Sequence, residues 1–398
     1  MSKLLVIGAA AYQVPAIQRI KELGHEAYCV DYKEGQPGFS FADGYRIVDV
    51  RDKEECLKYA QEIDIDGVLT WGATLTLETA SYVASELSLP ALPLDTARIA
   101  TNKYLIRKKL TEWGLNIGGD VFAVLGKDDV PNHEYRVPFV VKPCDGSGSK
   151  GVRIVMDEAE IEDALQYAFE GARNQEIYVE PFVKGEEFSV EAFVCDGEVY
   201  IYSIVKTNFA WKGVFPEYTQ TTYLGISSEM ESDIEDEIRK AVKALGVSLG
   251  PVNFDLIISE EEGKPYIIDA GIRNGQNLIA SHIVPYSRGV DELNNSINLY
   301  LGRSVVAQPQ KKVFISSRLL IYEPGEIIDI KPFKNLIGKN QIIDIIMRKK
   351  VGDFLSPYQT KSDICGWVLT HGETPEDALQ HSNEAWELLK NYIIIKNV

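Results

Sequence analysis

Along residues 1–93, short apolar runs alternate with segments whose apolar positions recur every three or four residues. Residues 3–7 form a run that ends at Gly8, residues 13–23 carry the helical period and stop at Gly24, and residues 27–30 form a second run ending at Asp31. Residues 56–63, 67–70 and 74–87 repeat the alternation, and Pro90 and Pro93 close it. Strand and helix in turn predict a parallel, doubly wound sheet with helices on its faces. Asn102 then supplies an N-cap for a basic helix over 103–113 that stops at Gly114.

Farther on, residues 138–142 and 153–156 read as strands joined by a glycine- and serine-rich turn, and residues 157–171 as an amphipathic helix. Residues 177–183 read as a strand containing Pro181. Proline donates nothing to a ladder, which predicts an edge or a linker. Residues 188–194 and 199–205 form a hairpin turning at Asp196-Gly197. A long helix over 229–245, capped by Ser227 or Ser228, leads to a second hairpin of 250–258 with a run that starts at Tyr266, and then to a helix over 290–301. From residue 309 short strands over 313–321, 327–330, 341–347 and 366–370 precede one helix over 375–389 and a last strand near Ile393. His371 reads as a turn residue. The fold class is α/β followed by α+β, in units spanning 1–94, 95–308 and 309–398, the last of them small and β-rich.

The 398 residues carry a formal net charge of −18, which argues against nucleic acid and anionic membrane surfaces as partners. No apolar run approaches a membrane span, and Met-Ser-Lys leads straight into the first strand with no signal-peptide pattern. Cys29, Cys56, Cys144, Cys195 and Cys365 lack the paired spacing of a zinc site, and the five histidines do not cluster. These features predict a cytoplasmic protein. The turn Gly8-Ala-Ala-Ala-Tyr12 lacks the spaced glycines of a dinucleotide fingerprint. That disfavours a nicotinamide enzyme, although Asp31 sits about where a ribose-binding acid belongs.

Candidate chemistry concentrates in the second hairpin. Asp255 and Asp269 lie within its apolar strands, where an acid is out of place. On paired strands they repel unless a cation lies between them, and magnesium suits one or two carboxylates plus phosphate oxygens. Arg273, four residues on, reaches the same point. The plainer alternative is a surface hairpin with scattered charges. Lys142 ends a buried strand and needs an anion. The turn after it, Gly146-Ser147-Gly148-Ser149-Lys150-Gly151, offers backbone N–H groups to phosphate, although such turns are more often ordinary hairpin loops. A free edge at 180–183 would offer backbone hydrogen bonds to an adenine. Trp211 and Arg318 are candidate pocket residues whose plainer readings are core packing and a surface salt bridge.

Taken in order, these motifs resemble the ATP-grasp ligases over nearly the whole chain. Thr101-Asn102-Lys103 with Arg107 resembles the family's Asp-Lys-x-x-x-Arg helix, and Val141-Lys142-Pro143 with Gly148-Ser149-Lys150-Gly151 its lysine strand and glycine loop. Glu180-Pro181-Phe182-Val183 with Glu187 resembles the adenine hinge and ribose acid, and Asp255, Asp269 and Arg273 the metal acids and their arginine. The first and last units are most similar to carboxylate–amine ligases related to L-amino-acid ligases. Biotin carboxylase and carbamoyl-phosphate synthetase are more distant relatives.

The resemblance implies an ATP-grasp fold with an N-terminal domain (1–94), an ATP-grasp domain (95–308) whose swinging subdomain covers about 136–183, and a C-terminal unit (309–398). It implies ATP, with two magnesium ions, or manganese in their place, on Asp255 and Asp269. Lys103, Lys142, Gly146, Ser147, Gly148, Ser149 and Gly151 would meet the phosphates, Glu180, Pro181, Phe182 and Val183 the adenine, and Glu187 the ribose. Lys142 and Arg273 would assist phosphoryl transfer to a carboxylate, and an amine would then attack the acyl phosphate to form an amide. The implied partners are a small carboxylate, such as an amino acid, and an amine; a homodimer is left open. A carboxylase or carbamoyl-type enzyme working through carboxyphosphate, and a non-catalytic ATP-binding module, remain alternatives. One departure stands out. The family usually has Glu followed by Asn-x-Arg, and here Asp269-Ala-Gly271-Ile-Arg273 leaves Gly271 without a side-chain oxygen, with Asn253, Asn274 or Asn277 as replacements. Phe215-Pro216-Glu217 resembles a substrate-side loop of the amino-acid ligases, which a histidine often follows, and here Tyr218-Thr-Gln220 follows it.

Overall fold

β1 (Lys3–Ile7) sends Leu5 and Ile7 to one face and Leu4 and Val6 to the other, and all four are fully buried. That is the burial expected of a parallel strand covered on both sides. β1 pairs in parallel with β2 (Glu26–Asp31), which carries β3 (Gly44–Ile47) beyond it, and on its other side with β4 (Gly67–Leu69). α1 (Val14–Glu22) packs Ile17 and Ile20 on one face; α2 (Lys53–Ile63) and α3 (Leu77–Glu86) pack Leu57, Ala60, Val83 and Ala84 on the other. This computed structural model describes every residue except 147, 149, 213–214, 359–362 and 397–398, and only the backbone of the remainder of 210–217.

After α4 (Leu94–Ala100), α5 (Lys103–Glu112) starts where expected, with the Asn102 side chain accepting from the Leu105 N–H at 3.1 Å. β5 (Phe122–Leu125), β6 (Phe139–Pro143), β7 (Arg153–Val155) and β8 (Glu176–Pro181) form an antiparallel sheet in the order β5-β8-β6-β7, backed by α6 (Ile161–Gly171). The expectation of an edge or linker at 177–183 is corrected here: β8 is paired on both sides. Pro181 is tolerated because β5 reaches only to Val179, so nothing asks for a donor from Pro181 on that side.

The largest sheet takes in β9 (Gly185–Cys195), β10 (Glu198–Lys212) and β11 (Phe215–Thr222), and, after α7 (Ser228–Ala244), β12 (Gly250–Ser259) and β13 (Pro265–Gly271). Residues 215–217, expected as a loop beside substrate, belong to β11 and pair with the end of β10; their side chains, like that of Trp211, lie outside the described residues. α8 (Val284–Arg288) and α9 (Glu292–Tyr300) follow, then β14 (Phe314–Leu320), β15 (Gly325–Ile330), β16 (Ile342–Met347), β17 (Phe354–Leu355), β18 (Gly366–Gly372), α10 (Pro375–Leu389) and β19 (Ile393–Lys396). The order β13-β12-β9-β10-β11-β14-β18-β16 makes one eight-stranded sheet that runs across residue 309 without a break. Its seam is β11 with β14, from Thr219↔Arg318 to Thr221↔Ser316. α9 packs Ile297 and Tyr300 onto the first, parallel sheet.

His371 is a strand residue, not a turn. It pairs with Ile315, and its carbonyl accepts from His381 Nδ1 at 2.8 Å. Arg318 is buried, bonded to Asn383 and set over the Trp386 ring at 5.6 Å, so it is no surface ion pair. Among the described residues, no helix is long and apolar enough to cross a membrane.

Candidate active site

Side-chain alternation decides what faces the cleft. Phe188, Val190 and Ala192 of β9 and Val252, Phe254 and Leu256 of β12 turn toward α7, where Ile234, Ile238 and Ala241 complete a buried cluster. Their neighbours Glu187, Ser189, Glu191, Asn253 and Asp255 therefore share the opposite face. The register confirms it: Ser189 lies opposite Asp255, Glu191 opposite Asn253, and Asp255 opposite Asp269. Just past that last pair the register slips to Leu256↔Ile267, a bulge that gives Ile268 no partner of its own.

β13 ends the sheet, so its outer carbonyls are open to other groups. They are taken by cations from two other elements. Arg107 of α5 donates to the Ile267 carbonyl at 2.5 Å, and Lys142 of β6 to the Ile268 carbonyl at 3.0 Å. Lys103 pairs directly with Asp269. Burial opposes the charge on Asp269, but Lys103, Lys142 and Arg273 outweigh it and hold that carboxyl down to about 2. Asp255, half-buried and facing Asp269, is pushed up by burial and by its neighbour's charge, with Ser189 hydrogen bonding in partial compensation. The two aspartates are thus unequal, one charged and one leaning toward its proton, as expected when like charges share a site.

Glu180, expected beside an adenine amino group, is 2% exposed with both oxygens committed: Arg107 Nε donates to one at 2.9 Å and Lys142 Nζ lies 2.5 Å from the other. Its carboxylate is a strut between α5 and the second sheet, which leaves only the backbone at this position for a ligand. Pro181, Phe182 and Val183 are half-buried in the step between β8 and β9, and the Phe182 N–H donates to the Pro138 carbonyl at 3.3 Å. Glu187 is exposed on β9.

The turn after Lys142 is two things at once. Gly148 is exposed, at φ +65°, with open space where a Cβ would go. Gly151 is buried, at φ +78°, and a Cβ there would come 2.6 Å from the Pro143 ring. Gly146 likewise packs on Pro143. Gly148 has room around it, while Gly146 and Gly151 are wedged against Pro143. Ser147 and Ser149 lie outside the described residues.

Gly271 accounts for itself. A Cβ there would meet the Arg273 guanidinium carbon at 3.2 Å, so the missing side chain is room into which Arg273 folds back. Of the candidate replacements, Asn274 Oδ1 accepts from the Gly72 N–H at 2.8 Å and Asn253 Nδ2 donates to Ser189 and Glu191. Gln276 Nε2 donates to the Gly72 carbonyl at 2.6 Å. The Arg273 loop is thereby tied to the loop after β4, beside the point where strands leave β1 in opposite directions. Asn277 and Leu278 follow with φ of +56° and +69°, a strained pair of the kind that gathers at functional sites. A separate cleft of about 510 Å³ between α5 and the second sheet, lined by Tyr104, Phe122, His133 and Cys144, contains none of these acids.

The geometry brings together Lys103, Lys142, Asp255, Asp269 and Arg273. Arg107, Glu191 and Gly72 had no expected role from the sequence, although Arg107 stood within a recognised motif, and Asn274, expected as a stand-in metal ligand, is instead held by the Gly72 N–H. Residues 135–280 match the ATP-grasp domain family, and residues 318–393 match the L-amino acid ligase C-terminal domain 2. The chain carries an ATP-grasp domain. The D-alanine–D-alanine ligase of Pediococcus pentosaceus is 30% identical to it over 204 residues, 50% of this chain and 54% of that one, so the ATP-grasp chain spans about half the length of this curated relative. Among solved structures, the L-amino acid ligase from Bacillus licheniformis superposes with a TM-score of 0.78 at 22% identity, covering 100% and 99% of the two chains. Phosphoribosylglycinamide synthetase from Anaerococcus prevotii gives 0.76 at 19%, covering 100% of both. These two likenesses establish the fold.

Proposed function

We propose that this ATP-grasp chain is an ATP-dependent carboxylate–amine ligase. A carboxylate takes the γ-phosphoryl group of ATP, and an amine displaces phosphate from the acyl phosphate to form an amide, with ADP and phosphate released. The observation that carries this reading is the opposed pair Asp255 and Asp269, ringed by Lys103, Lys142 and Arg273 from three separate elements. That charge pattern suits a polyphosphate with its metal ions. Asp255 and Asp269 would hold two divalent ions, magnesium or manganese, which when bound neutralise phosphate oxygens.

The chain's own groups do the rest. Lys103 leaves Asp269, and Lys142 leaves Glu180, for phosphate oxygens. Arg273 stabilises charge on the phosphoryl group in flight. The 146–151 turn closes over the reaction to keep water from the acyl phosphate. The backbone of Pro181–Val183 takes the adenine edge, and Glu187 the ribose hydroxyls. Cys144 offers no covalent route, because burial and the charges of Glu176 and Asp145 push its thiol up to about 12. Likeness of residues 318–393 to the L-amino acid ligase domain supports an amino acid as the carboxylate. The test is incubation with ATP, magnesium, hydroxylamine and a panel of carboxylic acids. Hydroxamate formed in step with ADP and phosphate is the expected result. AMP and pyrophosphate would overturn the acyl phosphate, and ADP release with bicarbonate alone would move the reading to carboxyphosphate chemistry.

A further inference from the structure

Behind the aspartates a second pair of acids meets. Glu191 of β9 and Glu292, in the first turn of α9, are both completely buried. Glu191 is well held: the Gly275 N–H donates to Oε1 at 2.6 Å and Asn253 Nδ2 to Oε2 at 2.9 Å. It fits so closely that a Cβ on residue 275 would lie 2.3 Å from Oε2. Glu292 has no donor for either oxygen among the described residues, and what it faces is the Glu191 carboxyl. Two buried carboxylates in contact repel strongly, and a carboxylate without donors is the costliest kind. A single proton resolves both difficulties, because a protonated Glu292 is itself the donor that Glu191 lacks on that side.

We propose that Glu191 and Glu292 share one proton, and that the resulting carboxyl–carboxylate hydrogen bond positions Gly275 and with it the Arg273 loop. The proton resides on Glu292. Around Glu191 stand the Gly275 N–H, Asn253 and the Arg273 charge; around Glu292 stand Glu191 and Asp291, the latter paired with Arg19. Tyr202 and Cys195 complete the titratable surroundings, with Asn295 beside the Tyr202 hydroxyl and Arg288 on the Tyr202 carbonyl. Burial raises both acids above the ordinary 4.5, and Glu292 is raised further by the Glu191 charge against it. A carboxyl raised in the folded state keeps a proton that the unfolded chain releases, so stability falls as pH rises from 4.5 toward the folded value. The role given to the Arg273 loop rests on the ligase reading; the shared proton does not.

The first test is therefore proton release on unfolding of the full chain near pH 8, by calorimetry in buffers of different ionisation enthalpy. The wild type should release about one more proton than Glu292→Gln, whose amide donates to Glu191 without titrating. Equal release overturns the shared proton, whether or not the chain proves to be a ligase. The second test is turnover. Glu292→Ala should lower kcat by about tenfold with KM for ATP unchanged, and Glu292→Gln should restore most of it, because a donor and not a charge is what Glu191 needs. A glutamine variant as slow as the alanine variant, or an alanine variant as fast as wild type, overturns the positioning role.

Discussion

Two pairs of acids lie along one face of the large sheet, and they are neutralised differently. Asp255 and Asp269, at the open end of the β12–β13 hairpin, draw on Lys103 and Lys142 from other elements and on Arg273 from the loop beyond. Glu191 and Glu292, one layer deeper, draw on a proton and a backbone N–H. Under the proposed function the aspartate pair would exchange its lysines for metal ions, and the Asp269 side chain is 35% exposed to receive them. The glutamate pair is fully enclosed and has nothing to exchange. Depth alone does not explain the contrast, because Glu180 is nearly as deeply buried as the glutamate pair and is ion-paired with both Arg107 and Lys142. Supply of cations decides whether a buried acid is charged, and access from solvent decides whether that charge is available for chemistry.

The largest effect expected is on Glu180, where this rule is most exposed. Glu180→Gln keeps the shape and strands two buried cations. Removing one member of a buried ion pair costs about 3–5 kcal/mol, so the denaturation midpoint should fall steeply. A variant as stable as wild type would mean that Arg107 and Lys142 find other partners with ease, and the rule would fail where it is applied most strictly.

Next comes the aspartate pair. Asp269→Asn removes the charge that holds Lys103 and would hold a metal ion. Turnover to ADP should fall at least about a hundredfold, the scale of losing a charge-stabilising group. The fold should survive, since the change is nearly isosteric. Turnover close to wild type in saturating magnesium would show that the hairpin acids are not the metal site.

The two pairs also differ in how far the sequence reveals them. Asp255 and Asp269 interrupt apolar strands on either side of one short turn, so both their misfit and their opposition can be read directly. Glu191 interrupts a strand in the same way, but its partner is far along the chain at a helix start, where an acid is unremarkable. Periodicity says which face of α9 is buried and is silent on what buries it, and the answer includes the first sheet. The central place of β8 was hidden for a similar reason: its second neighbour, β5, is four residues long and carries little pattern. Gly271 looked like a missing ligand because its effect, room for Arg273, exists only in three dimensions.

A smaller effect separates the two ends of the turn that follows Lys142. Gly151→Val forces a side chain against the Pro143 ring at positive φ, and overpacking of this kind costs about 1–3 kcal/mol. It should also displace Lys142 from Glu180 and lower turnover. Gly148→Ala, in open space, should change stability by about 1 kcal/mol or less while still slowing turnover, if the tip must close. Equal stability losses at the two positions would mean that the tip is packed structure and not a lid.

The smallest effect concerns Cys144, and it completes the comparison. This thiol is an acid that has neither a cation nor a shared proton to offset its burial. It sits two residues beyond Lys142, 2% exposed, and it keeps its own proton, pushed up to about 12 by burial with Glu176 and Asp145 adding to the effect. A thiol so placed is no nucleophile at neutral pH, because the thiolate is the reactive form. Its backbone has the structural role: the Cys144 carbonyl accepts from the Lys103 N–H at 2.7 Å, at the start of α5. Cys144→Ala keeps that hydrogen bond and removes only the sulfur. Hydroxamate formation with ATP, magnesium and hydroxylamine should therefore continue within about twofold of wild type, with a modest stability loss for the lost buried atom. Its pH profile should overlay that of the wild type from pH 6 to 9, since a thiol raised to about 12 does not titrate there. A folded variant that loses hydroxamate formation would make the sulfur a participant. It would replace direct activation by ATP with a thioester route, and the contrast between acids that carry charge and acids that hold protons would lose its simplest member.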